Sequence, residues 1–210
     1  MVGDTGLRER KKTRTHQAIS DAAIALFLKH GFDRVPVADV AAAAGVSKPT
    51  LFKYFAGKED LVLHRITDHR DEYARVVRAA PGAPPLDALH RHFTGALTGR
   101  DAVTGLNDHP EVLGYHRMVF STPSLLARLS QHSDREEEAL AAALAEHPTA
   151  GMDDLTARLA AAQIVAVTRV LARDNWRRLD AGRSADDAHP DALAAADHAF
   201  ALLAAGLSPT

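Results

Sequence analysis

Apolar residues recur along this chain at the three- and four-residue intervals that build one face of a helix. In the segment 15–30, Ile19, Ala23 and Phe27 share such a face, and Gly31 follows as a stop signal. Alanine, the strongest helix former, is abundant, and the apolar–polar alternation typical of strands is absent. The pattern therefore predicts an all-α protein.

Glycine and proline residues divide this pattern into short helices near the N-terminus and longer helices after the proline-rich stretch 81–85. The sequence predicts about nine helices in total. Their approximate bounds are 15–30, 36–45, 47–55, 58–79, 86–98, 111–121, 124–146, 153–180 and 191–205, with a less regular segment at 101–107 and a loop at 182–190.

The predicted helix 153–180 is apolar on more than one side. Leu155 and Leu159 lie in one row along this helix, and Ile164 and Leu171 lie in another. A helix that is apolar on two sides is buried on two sides. One side is expected to face the protein's own core. The other meets a second subunit or, in a monomer, is covered because the helix is fully central.

The stretch 36–55 has the organisation of a helix-turn-helix. A helix of about two and a half turns leads into a turn at Gly45, and Ser47 is a favourable N-cap for a second short helix. The small alanines before the turn allow a close crossing of the two helices. The residues spaced to form the core of that crossing are Val40, Val46, Leu51 and Phe55.

The second helix of this motif carries groups that reach phosphates and base edges. Lys48, Thr50, Lys53 and Tyr54 offer two cations, a hydroxyl and an amphipathic ring. Lys58 begins the next helix, where exposed N–H groups and the helix dipole also favour a phosphate. These residue types predict a DNA-binding surface. A helix-turn-helix used only for packing is the alternative.

The distribution of charge supports the DNA-binding interpretation, although the net charge is only −2. Residues 1–58 contain ten basic and five acidic side chains, and all six lysines of the chain lie there. The rest of the chain is therefore acidic. A solvated basic tail would have the same charge, but this basic segment contains the helix-turn-helix, and an acidic body would orient the basic end toward DNA.

These motifs, in this order, resemble the N-terminal domain of the TetR family of transcriptional regulators. The resemblance covers about Thr15 to Leu63 and rests on Ala22-Ala23 with Leu26-Phe27, His30-Gly31-Phe32, Asp39-Val40-Ala41, Ala44-Gly45-Val46-Ser47, Thr50-Leu51-Phe52 with Tyr54-Phe55, and Lys58-Glu59-Asp60-Leu61. The family often has a threonine pair where Val35-Pro36 stands here, so a hydroxyl contact to phosphate is not expected at that point.

The resemblance implies a homodimeric repressor that binds a palindromic double-stranded DNA operator and is released from it by a small-molecule effector. It implies a helix-turn-helix domain at 12–72 and a helical effector-binding and dimerisation domain at 73–210. Dimerisation is expected through the last two long helices, about 153–180 and 191–205. The expected DNA-binding residues are Ser47, Lys48, Pro49, Thr50, Lys53, Tyr54 and Lys58.

The effector is not identifiable from the sequence, but candidate residues for its pocket are. They are apolar or polar side chains of the long helices: Phe93, Leu97, Leu113, Tyr115, His116, Val119, Phe120, Arg169 and Trp176. Arg169 is the most unusual, because it stands among apolar residues, where a charge requires a partner. An acid across a dimer interface or an anionic effector would supply one.

Several function classes are disfavoured. The chain has no cysteine, which excludes disulfides and thiolate metal sites. Its histidine spacings do not suggest a metal site, and no cofactor is expected. The N-terminus is basic and polar, unlike a signal peptide, and apolar runs reach only about seven residues against the roughly 18 of a membrane helix. A cytoplasmic, non-enzymatic protein is predicted. A regulator without effector sensing (a constitutive repressor or an activator) remains the alternative, and a helical-bundle enzyme a remote one.

Overall fold

The computed structural model describes residues 3–67 and 71–207, and every regular element within those ranges is helical. The prediction of an all-α protein is confirmed, with ten α-helices instead of about nine. The helices are α1 Gly3–His30, α2 Val37–Ala43, α3 Lys48–Phe52, α4 Asp60–Thr67, α5 Glu72–Ala79, α6 Pro85–Thr98, α7 Pro110–Ser121, α8 Pro123–Ala145, α9 Asp154–Asp180 and α10 Ala185–Leu207, with a short 3-10 helix Ala102–Thr104.

The extra helix arises because the single helix predicted for 58–79 is two helices, α4 and α5. Asp71, the residue before α5, has a φ of 57° in the left-handed region. An L-residue in that conformation does not continue a right-handed helix. The prediction of one continuous helix was therefore wrong. The sequence there contains no glycine or proline, which usually mark such a break, so the break is not visible in the sequence.

Helix α10 begins earlier than predicted and contains Pro190, which the sequence suggested would end a loop. Ser184 explains this early start, because its Oγ accepts the backbone N–H of Asp187 at 3.1 Å. A serine followed by an acidic residue three positions later is a capping pattern. Because a proline commonly marks a loop, the sequence around Pro190 predicted a loop instead of the start of a helix.

The chain divides into two compact units. The N-terminal unit comprises residues 3–67 and 117–129, and the C-terminal unit comprises 71–116 and 130–207. In the N-terminal unit α1 packs against α2 and α4, and α2 against α3. The core of this unit is formed by apolar side chains with almost no exposure: Ile19, Ala23, Phe27, Val40, Leu51, Phe55, Leu61, Val62 and Leu63.

In the C-terminal unit α10 packs against both α6 and α9, and a buried apolar cluster extends across these helices and onto α5 and α8. The 3-10 helix joins this core through Gly105 (φ 72°), where a Cβ would lie 1.9 Å from the Ala172 carbonyl oxygen of α9. The Asn175 Nδ2 donates to the Thr104 carbonyl at 2.9 Å beside it. These contacts fix the segment after α6 against the C-terminal half of α9.

Helix α9 keeps one apolar side open. Leu155, Leu159 and Val170 on α9, and Leu202 on α10, are each more than half exposed. Within the described ranges, α9 is the one helix whose length and composition would suit a membrane span. About a third of that apolar stretch is buried inside the protein, where α9 packs against α10. Helix α9 is therefore a core helix that also has an uncovered apolar face.

Candidate nucleic-acid interface

The turn between α2 and α3 is closed by backbone hydrogen bonds around a left-handed glycine. Gly45 has a φ of 66°, and the Val46 N–H donates to the Ala41 carbonyl at 2.9 Å, beyond the end of α2. This is the helix-ending arrangement that a glycine favours. Val40 and Leu51, fully buried on either side of the turn, fix the crossing of the two helices.

Ser47 sets where α3 begins. Its Oγ accepts the Thr50 backbone N–H at 3.2 Å and lies 2.8 Å from the Thr50 hydroxyl, and Pro49 occupies the first turn. A serine N-cap satisfies one of the orphan N–H groups of the helix, and a proline there has no N–H to leave unpaired. The N-cap predicted from the sequence is present, but α3 ends at Phe52 instead of Phe55.

The polar side chains predicted to reach DNA lie on α3 and just after it, and they are not all exposed. Lys48, Pro49 and Lys53 are exposed, and Thr50 and Tyr54 are partly buried. The pattern did not single out Phe52, which is 45% exposed with the Lys48 ammonium 6.0 Å from its ring centroid. The exposure of Phe52 could have been predicted from the sequence. Leu51 and Phe55 were predicted to be buried on one side, and Phe52, one residue after Leu51, points to a different side.

Helix α1 supports the far end of this surface. The His16 ring stacks on Phe55 with centroids 4.3 Å apart and lies 6.2 Å from the Tyr54 ring, just beyond α3. His64 of α4 meets the same imidazole edge-on at 4.0 Å. The residues that follow α3 are therefore held between α1 and α4.

Lys58 has a structural contact that the sequence did not predict. Its Nζ donates to the Phe32 carbonyl at 2.6 Å and lies 4.6 Å from the centre of the Phe32 ring. This contact ties the segment before α4 to the end of α1. The same Nζ also donates to the Asp33 carbonyl at 3.5 Å, so one of the three N–H donors of the ammonium is left for a phosphate.

An ion pair also joins the start of α4 to α8, in the part of α8 that belongs to the same unit. The Arg128 guanidinium holds the Asp60 carboxylate at two points, Nε to Oδ1 at 2.8 Å and Nη2 to Oδ2 at 3.1 Å. The Asp60 carboxylate raises the pKa of Arg128 above its usual value. A bidentate pair of this kind fixes orientation as well as distance.

Comparison with known proteins decides the family. The family described as bacterial regulatory proteins, tetR family, matches residues 19–64, which include α2, the turn and α3. The regulator TcmR of Streptomyces glaucescens is 32% identical over 178 residues, 83% of this chain and 79% of that protein. The chain belongs to the TetR family of transcriptional regulators.

Two further matches agree with this membership. The repressor LfrR of Mycolicibacterium smegmatis is 33% identical over 141 residues, 65% of each chain. A TetR-family regulator from Streptomyces coelicolor has the same fold, with a TM-score of 0.52, 21% identity, and coverage of 90% of this chain and 96% of that one. The protein is thus a DNA-binding transcription regulator of a non-enzymatic family.

The candidate effector residues of this TetR-family regulator lie in two different units of the structure. Phe93, Leu97, Leu113, Tyr115, His116 and Trp176 belong to the C-terminal unit, where Phe93 and Leu97 are part of its core. Val119 and Phe120 belong instead to the N-terminal unit. Arg169 is exposed on α9 beside Val170, and an acid across a dimer interface or an anionic effector stays the predicted partner of its charge.

The C-terminal unit also holds polar groups that the sequence did not single out. The Tyr73 hydroxyl is hydrogen-bonded to Thr168, and burial raises the pKa of Tyr73 to about 12. Burial also raises the pKa of Glu136, which accepts the backbone N–H of Asp71. No signal in the sequence pairs these residues, because they come from α5, α8 and α9. No group of three or more metal-ligating side chains is found in the part of the chain that the structure describes.

Buried His116 predicts a pH-dependent loss of stability. Burial lowers the pKa of this imidazole from 6.5 to about 4. As the pH falls from about 6.5 to about 4, His116 is therefore protonated in the unfolded chain but stays neutral in the folded chain. Over that range His116 lowers the free energy of unfolding by up to about 3 kcal/mol.

Urea unfolding of the His116→Gln variant at about pH 7 and about pH 4.5 measures this contribution, because glutamine does not titrate. The variant should lose less stability on acidification than the wild type. The matched control is His109→Gln, an exposed histidine, which should keep the wild-type pH dependence. Equal losses for the wild type and the His116→Gln variant would contradict the assignment.

Proposed function

We propose that this TetR-family regulator is a homodimeric repressor that leaves a palindromic operator when a small-molecule effector binds its C-terminal unit. The supporting observation is the outward surface formed by α3 and the residue after it, where exposed Lys48 and Lys53 follow a capped helix start. Repression is the activity named for the relative LfrR. The protein would act in the bacterial cytoplasm, where the chromosome lies.

We assign the reading of DNA to α3 and the residues that follow it. Lys48 and Lys53 would bind phosphates or guanine edges, and the Thr50 and Tyr54 hydroxyls would bind phosphates or bases. Phe52 would place its exposed ring against a thymine methyl group or a sugar. Ser47 and Pro49 would bring the start of α3 close to the DNA backbone, and the remaining donor of Lys58 would hold a phosphate.

The proposed dimer forms through the uncovered faces of α9 and α10. Leu155, Leu159 and Val170 lie on one side of α9, and Leu202 is exposed on α10. A contiguous exposed apolar surface on a soluble protein marks an interaction site. A second copy of this chain fits it, because a two-fold axis brings the same apolar patch from both subunits together.

A two-fold dimer would present two α3 helices to successive major grooves. Their half-sites would then be related by inversion, and their centres would lie one helical turn or a multiple of it apart. The operator proposed here is an inverted repeat for this reason.

The proposed effector site lies in the C-terminal unit. From the sequence we propose a DNA-binding domain at 12–72 and an effector-binding and dimerisation domain at 73–210, although residues 117–129 of the latter belong to the N-terminal unit of the structure. Its candidate polar contacts are Tyr115, His116 and Trp176, to which we add Tyr73 and Thr168. Helices α7 and α8 each have residues in both units. A shift of these helices on effector binding would reach α4 through the Arg128 and Asp60 ion pair.

A thermal-shift screen of small molecules, followed by operator-release assays, tests effector control. An effector should raise the melting temperature of the full-length protein, because a ligand that binds only the folded state stabilises it. The same compound should release operator DNA in a concentration-dependent manner. Compounds that stabilise the protein and never change DNA binding would contradict effector release and favour a regulator without effector sensing.

A further inference from the structure

Four aromatic rings meet where the DNA-reading surface ends. The His16 ring of α1 lies nearly parallel to the Phe55 ring, with 17° between their planes and 4.3 Å between their centroids. The His64 ring of α4 stands perpendicular to His16 at 4.0 Å, and the Tyr54 ring lies 6.2 Å from it at 53°. We call these four residues the ring cluster. His16 is its common member, because each of the other rings lies within interaction distance of the His16 imidazole.

The orientation of the Tyr54 ring depends on its packing. Helix α3 ends at Phe52, and the N–H groups of Tyr54 and Phe55 complete the last turn by donating to the Leu51 carbonyl at 2.9 and 3.0 Å. These bonds fix where the backbone turns. A tyrosine side chain still has several staggered rotamers, and contact with a neighbouring ring selects one of them.

Helix α1 gives the His16 ring a rigid support, because α1 is tied to α4 one turn further along. Ser20, four residues after His16, is fully buried and donates its hydroxyl to the Leu61 carbonyl at 3.2 Å. Arg65 Nη2 donates to Asp21 Oδ1 at 3.0 Å beside it. These contacts hold α1 and α4 in one register. The ring cluster therefore stands on two helices that are fixed to each other.

We propose that His16 is a positioning residue for DNA reading, and that its flat ring holds Tyr54 in the orientation in which the tyrosine contacts DNA. The proposal rests on the assignment of DNA reading to α3 and the residues that follow it. His16 acts through the Tyr54 ring and not by a DNA contact of its own. A stacked ring does this by its shape, so a ring without charge should replace the imidazole.

The first test requires no DNA. The chain has three tyrosines, so fluorine NMR of the full-length protein labelled with fluorotyrosine should give three signals, and the one that disappears in Tyr54→Phe belongs to Tyr54. His16→Ala should broaden or split that signal, because the tyrosine ring then samples several orientations. His16→Phe should keep it sharp. A Tyr54 signal as sharp in His16→Ala as in the wild type would overturn the proposal.

Operator binding by the full-length protein is the second test. His16→Ala should weaken binding about 5- to 50-fold, because one ring contact is lost in each of two subunits and an aromatic pair contributes about 2- to 10-fold. His16→Phe should stay within about 3-fold of the wild type. The matched control is His30→Ala, an exposed histidine of the same helix, which should bind as the wild type does. Circular dichroism checks that each variant is folded.

A double-mutant cycle identifies the residue through which His16 acts. In the Tyr54→Ala background, His16→Ala should weaken operator binding by less than about 2-fold, because the ring that His16 orients is already gone. Losses that multiply in full would overturn the proposal. So would a His16→Phe variant that binds as weakly as His16→Ala, since the polar atoms of the imidazole would then make the difference.

A failure of the proposed function has a different outcome. The wild type would then bind the operator and unrelated duplexes equally, while the fluorine spectra would still show whether His16 orients Tyr54. Wild-type specificity that is unchanged in His16→Ala removes only the positioning role of His16.

Discussion

The Lys48→Ala, Tyr54→Ala double variant should lose operator affinity by at least about 100-fold while it remains folded. Each residue stands once in each subunit, so four side-chain contacts disappear from a two-fold complex, and losses of about 1–3 kcal/mol per base contact accumulate. The measurement is fluorescence anisotropy of a labelled operator at moderate salt. Unrelated duplex DNA should lose far less, so the specificity ratio should fall.

Two controls separate loss of contact from loss of structure. Tyr54→Phe keeps the ring that lies beside His16 and removes only the hydroxyl. Arg91→Ala removes an exposed cation of the C-terminal unit. Both should bind the operator more tightly than the double variant does. If the double variant is folded and keeps wild-type affinity, α3 is not the reading helix.

The Leu159→Glu, Val170→Glu double variant should convert a dimer into a monomer. Both side chains are more than half exposed on α9, so the change leaves the interior of the subunit intact and places two carboxylates per subunit into the proposed dimer contact. Light scattering should give the mass of one 22.5 kDa chain for the variant and roughly twice that for the wild type. Operator affinity should fall at least about 100-fold, because the second half-site no longer binds as part of the same complex.

The matched control for the dimer is Val103→Glu, an exposed apolar residue outside α9 and α10. It should remain a dimer and bind DNA as the wild type does. A wild-type protein that has the mass of a single chain at micromolar concentration would contradict the dimer. So would a dimer that persists in the Leu159→Glu, Val170→Glu variant.

The features that the sequence predicted well are local. The Ser47 cap, the turn at Gly45 and the buried pair Val40 and Leu51 are determined by residues within a few positions of one another. Helix propensity, capping and spacing act over that range, so the helix-turn-helix was predictable. Val46 was the exception in the predicted core, since it is only partly buried.

The features that the sequence did not predict depend on distant parts of the chain. The Lys58 partner, the Phe32 carbonyl, is 26 residues earlier, and the Asp60 partner Arg128 is 68 residues later. The segment around Asp71 contains no helix-breaking residue. Arg169 has apolar neighbours in sequence, but the turn of α9 exposes it with Val170 while Thr168 is buried. Tertiary packing decides each case.

Selection of binding sites from a random duplex library by the full-length wild-type protein shows whether a dimer reads DNA with α3. The wild type should enrich one inverted repeat, with half-sites centred one helical turn or a multiple of it apart. The Lys48→Ala, Tyr54→Ala variant should enrich no such sequence. Enrichment of a single unrepeated element, or the same repeat selected by that variant, would contradict a two-fold regulator that reads DNA with α3.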